Sequence, residues 1–80
     1  MKLHIISPYH KETHLIEWLE VNTPQGNMII QSGHAPLILT LSPQKNMSFL
    51  LKTGELNHIF LARSGFLEIN RTTITALINQ

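Results

Sequence analysis

Turn-forming residues punctuate this chain at a nearly regular interval, and that interval limits the fold more than any other feature. The signals are Ser7-Pro8, Thr23-Pro24-Gln25-Gly26, Ser32-Gly33, Ser42-Pro43, Thr53-Gly54, Ser64-Gly65 and Asn70-Arg71. Most lie about 8–12 residues apart, the rhythm of an all-β sandwich or barrel. Residue usage agrees: ten Ile, one Val and seven Thr stand against only three Ala, a balance that favours strands over helices. Between the turns the apolar residues alternate. Leu37, Leu39 and Leu41 share one parity, as do Met47, Phe49 and Leu51, and then Ile74, Ala76 and Ile78. Each set can line one face of a strand. The opposite parity is not cleanly polar, because Ile38, Leu50 and Leu77 occupy it.

Three segments carry sharper expectations. Leu56–Ala62 is apolar on both parities, which predicts a central strand covered on both sides. Thr53-Gly54 predicts a tight hairpin turn. Glu12–Val21 fits neither period well; its apolar residues at three- and four-residue spacing hint at a short helix, but Thr23-Pro24 beyond it favours a strand broken by a bulge. No repeat or linker divides the chain. The expectation is one domain, residues 1–80, with about eight short strands.

Composition excludes several functions. Only 11 of 80 residues are charged, where about a quarter would be ordinary. No cysteine is present, so there is no disulfide, no thiolate nucleophile and no thiolate zinc site. No aspartate is present either, which removes a Ser-His-Asp triad, an EF-hand loop and a nucleotide-hydrolysing magnesium site. Lys2, Lys11, Lys45, Lys52, Arg63 and Arg71 are scattered singly, against nucleic-acid binding. No apolar run reaches membrane-spanning length, and Leu3–Ile6 is too short for a signal-peptide core, so the default is a cytosolic chain. A small, charge-poor, unstapled domain is a candidate for completion by a partner.

Catalytic chemistry finds little footing. Histidines 4, 10, 14, 34 and 58 are the metal-ligand stock, with no His-x-His pair; a barrel gathering them, with Glu68, is the metal-enzyme alternative. No glycine-rich phosphate cradle or nucleophile elbow is present. Trp18 reads as a packing residue. The distinctive segment is Ser32-Gly33-His34-Ala35-Pro36-Leu37. Gly33 suits a turn needing positive φ, and Pro36 enforces an extended start to the following strand. Such a loop either joins two strands or presents a histidine to something.

That segment resembles the epsilon subunit of the F-type ATP synthase. Leu3-His4-Ile5-Ile6-Ser7-Pro8 is similar to the family's opening strand, and the hallmark Gly-His-Ala-Pro-Leu stands intact at Gly33–Leu37. Gly65-Phe66-Leu67-Glu68-Ile69 and Thr73-Ile74-Thr75-Ala76-Leu77 match two later signatures, in order and across the whole chain. The resemblance implies a sandwich of two antiparallel sheets and a non-catalytic central-stalk role without a cofactor. Its partners would be the gamma subunit and the membrane rotor ring of c subunits. It would couple rotation and proton or sodium flow to ATP synthesis, as a peripheral subunit on the cytoplasmic side of the cell membrane. The resemblance assigns contact with gamma or the c-ring to Gly33, His34, Ala35, Pro36 and Gly26.

Departures accompany the match. The family's ring-facing acid after Gly26 is Asn27, the proline before Gly-His is Ser32, and the usual glycine pair is Ser64-Gly65. The sequence stops at Gln80, before the helical pair that inhibits hydrolysis in relatives, so neither that arm nor its ATP site is expected. A diverged β-sandwich adaptor outside the synthase is the other reading.

Overall fold

The computed structural model describes all 80 residues and contains eight strands and no helix. They are β1 (Lys2–Ser7), β2 (His10–Thr23), β3 (Gly26–Gln31), β4 (Leu37–Leu41), β5 (Lys45–Leu51), β6 (Leu56–Leu61), β7 (Gly65–Ile69) and β8 (Thr73–Leu77). Two sheets share β2. The first runs β4-β7-β8-β1 and ends on the N-terminal half of β2. The second is built of β3, the C-terminal half of β2, β5 and β6. Every pairing is antiparallel except β1 with β8, so the first sheet is mixed. Parallel neighbours need a long connection, and here nearly the whole chain lies between them.

The segment Glu12–Val21 is the middle of β2, and the expected bulge is there. Ile16 pairs with Leu51 and Trp18 with Leu50, so Glu17 is the extra residue. Its carboxylate lies 3.3 Å from Lys52 Nζ. The hairpin at Thr53-Gly54 also forms, closed by the Gly54 N–H donating to the Leu51 carbonyl at 2.9 Å.

Alternation builds the core. Leu3 and Ile5 of β1, Leu67 and Ile69 of β7, and Ile74 and Ala76 of β8 point inward from the first sheet. Leu19, Val21, Ile30, Met47, Phe49 and Leu61 meet them from the second. The expectation for Leu56–Ala62 needs correction. β6 is an edge strand, and Leu56 and Phe60 are 48% and 52% exposed. Only Ile59 and Leu61 reach the core; Leu56, His58 and Phe60, on the other parity, face outward and are exposed.

Gly65 at the start of β7 has a packing reason. A Cβ there would lie 2.6 Å from the Leu77 carbonyl oxygen on β8, and backbone cannot yield as a side chain can. Replacing Gly65 with Ala should therefore destabilise the domain by about 1–3 kcal/mol, the usual range for overpacking. Urea unfolding monitored by Trp18 fluorescence measures this; a loss below about 0.5 kcal/mol would show that β7 and β8 part without strain.

Candidate partner-docking surface

The loop after β3 is held from two sides. The His34 N–H donates to the Gln31 carbonyl at 3.3 Å, and the Gly33 N–H reaches the Arg71 carbonyl at 3.4 Å in the turn between β7 and β8. Gly33 has φ +86°, a conformation that favours glycine. The His34 Nδ1 donates to the Ala35 carbonyl at 2.8 Å, because a carbonyl can only accept. Pro36 then leads straight into β4. Gly33, Ala35 and Pro36 are exposed and His34 is half-buried. The loop is a rigid, outward-facing feature.

Gly26 is elsewhere. It closes the turn between β2 and β3, where the Thr23 hydroxyl donates to its carbonyl at 3.0 Å and accepts from the Gln25 N–H at 3.2 Å. It opens β3, and the five steps to Gln31 at the loop end span about 17 Å along an extended strand. The structure thus gathers Gly33, His34, Ala35 and Pro36 and leaves Gly26 at the other end of β3. Asn27 beside it donates its amide to Asn22 Oδ1 at 3.3 Å.

The loop continues into an apolar surface. Strand registers place Thr40, Phe66, Leu77 and Ile6 side by side on the outer face of the first sheet, with Ile38 and Glu68 one row away. Ile38, Phe66 and Leu77 are 70%, 57% and 47% exposed. An open groove of about 480 Å³, lined by Pro36, Leu37, Ile38, Glu68, Ile69 and Asn70, joins this surface to the loop. The sequence showed Ile38 and Leu77 out of phase with the core, but Phe66 was hidden inside a motif and Ile6 inside an apolar run. The second sheet carries its own outward apolar row, Trp18–Leu50–Leu56, with Phe60 nearby.

The histidines do not assemble into a metal centre. His4 pairs with Thr13 Oγ1 at 2.9 Å and His58 with Ser48 Oγ at 2.7 Å, on different sheets. His10 and His14 flank one carboxylate: Glu12 lies 2.9 Å from His10 Nε2 and 3.2 Å from His14 Nε2. No group of three or more His, Cys, Asp or Glu side chains is arranged to hold a metal ion. The hydrogen bond from His10, then that from His14, holds the Glu12 carboxyl below its ordinary value, against a smaller opposing effect of burial.

Comparison with known proteins places this geometry. A family model described as the beta-sandwich domain of the ATP synthase delta/epsilon chain matches residues 1–80. Among solved structures, a chain in the mitochondrial ATP synthase of Euglena gracilis, determined by cryo-EM as the OSCP/F1/c-ring assembly, superposes with a TM-score of 0.83. It shares 17% identity over 95% of this chain and 48% of its own. A chain in the central stalk and c-ring of the Tetrahymena thermophila enzyme gives a TM-score of 0.77 at 13% identity, over 100% of this chain and 63% of its own. The chain thus spans less than two thirds of either of those chains. No curated protein matches.

The Glu12 cluster generates a pH prediction. A carboxyl whose pKa is lowered on folding contributes stability that is complete above its unfolded value and is lost as pH falls through the folded one. Replacing Glu12 with Gln should cost less than about 1 kcal/mol near neutrality, since the group is one-third exposed. The difference between the two proteins should shrink toward zero between about pH 5 and pH 3. Urea midpoints across that range test it, and a constant difference would refute it.

Proposed function

The chain belongs to the delta/epsilon β-sandwich family of the ATP synthase, and on that premise we propose that it is a non-catalytic central-stalk subunit. It binds the gamma subunit and the rotor ring of c subunits and couples ion-driven rotation to ATP synthesis. Its place is peripheral, at the membrane face that carries the catalytic head, on the cytoplasmic side of the cell membrane. No helix is long and apolar enough to cross a membrane. The observation that carries the reading is the family match over every residue, from 1 to 80.

The structure supports a division of labour. A body that transmits rotation must keep its shape under load, and this one is tied by 46 backbone hydrogen bonds around a core of 14 buried side chains. The outer face bearing Ile6, Ile38, Phe66 and Leu77 is the surface assigned to gamma, because apolar area gives a long-lived grip. The Gly33–Pro36 loop, continuous with that face through β4, is assigned to the rotor ring. Gly26, at the far end of β3, contacts whichever partner reaches that end. A diverged adaptor of the same fold is the reading left if gamma does not bind.

Pull-down with the gamma subunit from the same source tests the proposal. The unmodified chain should be retained, and complete failure to bind would end the reading. Replacing Phe66 with Glu should weaken binding at least tenfold, about 1.4 kcal/mol or more. Because Phe66 is more than half exposed, the isolated domain should lose under about 1 kcal/mol of stability.

A further inference from the structure

β6 ends the second sheet, and its free edge has a visitor. The Leu51 N–H donates to the Glu55 carbonyl at 2.8 Å, which sets the alternation along β6. From it, Asn57, Ile59 and Leu61 turn their backbone groups toward β5, while Leu56, His58 and Phe60 turn theirs outward. The side chain of Gln80 sits on that outward row. Its Nε2 donates to the Phe60 carbonyl at 2.8 Å, and its Oε1 accepts from the Ala62 N–H at 3.1 Å. One side-chain amide thus takes two positions that a backbone N–H and a backbone carbonyl of a neighbouring strand would take.

The rest of the edge is unguarded. Leu56–Leu61 contains no charged residue and no proline, the usual devices against strand addition. We propose that the free edge of β6 pairs with the β6 of a second copy of this chain, and that the Gln80 amide is its removable cap. The strand is self-complementary about His58. A two-fold axis there sets His58 against His58 of the second copy and Leu56 against Phe60 of the second copy, on the outer face. Glu55 precedes the strand and Arg63 follows it, so antiparallel pairing brings the acidic end of one protomer toward the basic end of the other. Gln80 occupies the Phe60 carbonyl that such a pairing needs, so it competes directly with the second copy.

Sedimentation velocity across a concentration series tests this. Replacing Gln80 with Ala should lower the monomer–dimer midpoint about tenfold. Adding His58→Pro removes an outward N–H and leaves the backbone bonds to β5 in place, losing only the side-chain bond to Ser48, and should return the midpoint to that of the unmodified chain. Should that variant fail to fold, Leu56→Lys, which charges an exposed side chain of the edge, serves instead. An unchanged midpoint for Gln80→Ala overturns the proposal. So does a second substitution that leaves the midpoint as low as Gln80→Ala alone, since association would then not run through this edge.

Discussion

The sandwich depends on the bend in β2. Drawn out straight, its 14 residues would span about 46 Å, yet the longest dimension of the molecule is 27 Å. The strand therefore has to turn, and it turns at Glu17. Backbone bonds fix the corner from both sheets: the Ile16 N–H donates to the Met1 carbonyl, and the Leu15 carbonyl accepts from the Lys52 N–H, each at 2.9 Å. Ile16 itself is fully buried at the turn. Because one strand serves both sheets, the hydrogen-bond network is continuous across the corner, and the layers cannot slide apart without breaking it. An unstapled chain of 80 residues gains from this a rigidity that its modest core alone would not give.

Much of this was legible before any coordinates. Turn spacing and alternation pointed to about eight strands, and the failure of Glu12–Val21 to fit either period marked the bulge. Positive φ at Gly33 and the extended start at Pro36 followed from residue type. What periodicity could not separate was apolar surface from apolar core. Leu56 and Phe60 carry the same hydropathy as residues of a central strand, and only pairing decides that β6 lies at an edge. The parallel pairing of β1 and β8 was hidden for a related reason, since it joins residues at opposite ends of the chain. The proposed contact residues rest on resemblance alone. Their dispersal, with Gly26 apart from the Gly33–Pro36 loop, is a matter of strand length that a motif does not state.

Low charge and exposed apolar rows are one phenomenon. With 11 charged residues in 80, the outer faces cannot all be polar, and Ile38, Phe66 and Leu77 on one sheet and Leu56 and Phe60 on the other remain in water. Such faces suit the proposed stalk role, in which partner subunits would cover them. The same scarcity strips β6 of charged guards, and there an uncharged amide, Gln80, does what a lysine does on other edges.

An amide at position 27, where the resemblance implies an acid, fits this economy of charge. Asn27 donates to Asn22, and Asn22 in turn donates to the Asn46 carbonyl at 3.4 Å, so three neighbouring strands are linked by neutral amides. A carboxylate at 27 would accept from Asn22 but would bring a net negative charge to a corner that has none beside it in these rows. Within the stalk reading, whatever meets this end of the sandwich meets hydrogen-bonding groups rather than an ion. The contact there is consequently less sensitive to salt than an ionic one, and its specificity rests on the fit of donors and acceptors. At the other end, the Gly33–Pro36 loop contains no acid, lysine or arginine of its own, and its half-buried imidazole has Nδ1 committed to the Ala35 carbonyl. Arg71 adjoins the loop, and Glu68 lines the groove beside it. Within the stalk reading, a partner meets side-chain amides at one end of β3 and, at the other, a fixed backbone turn flanked by Arg71 and Glu68, so the two ends ask for different complementarity.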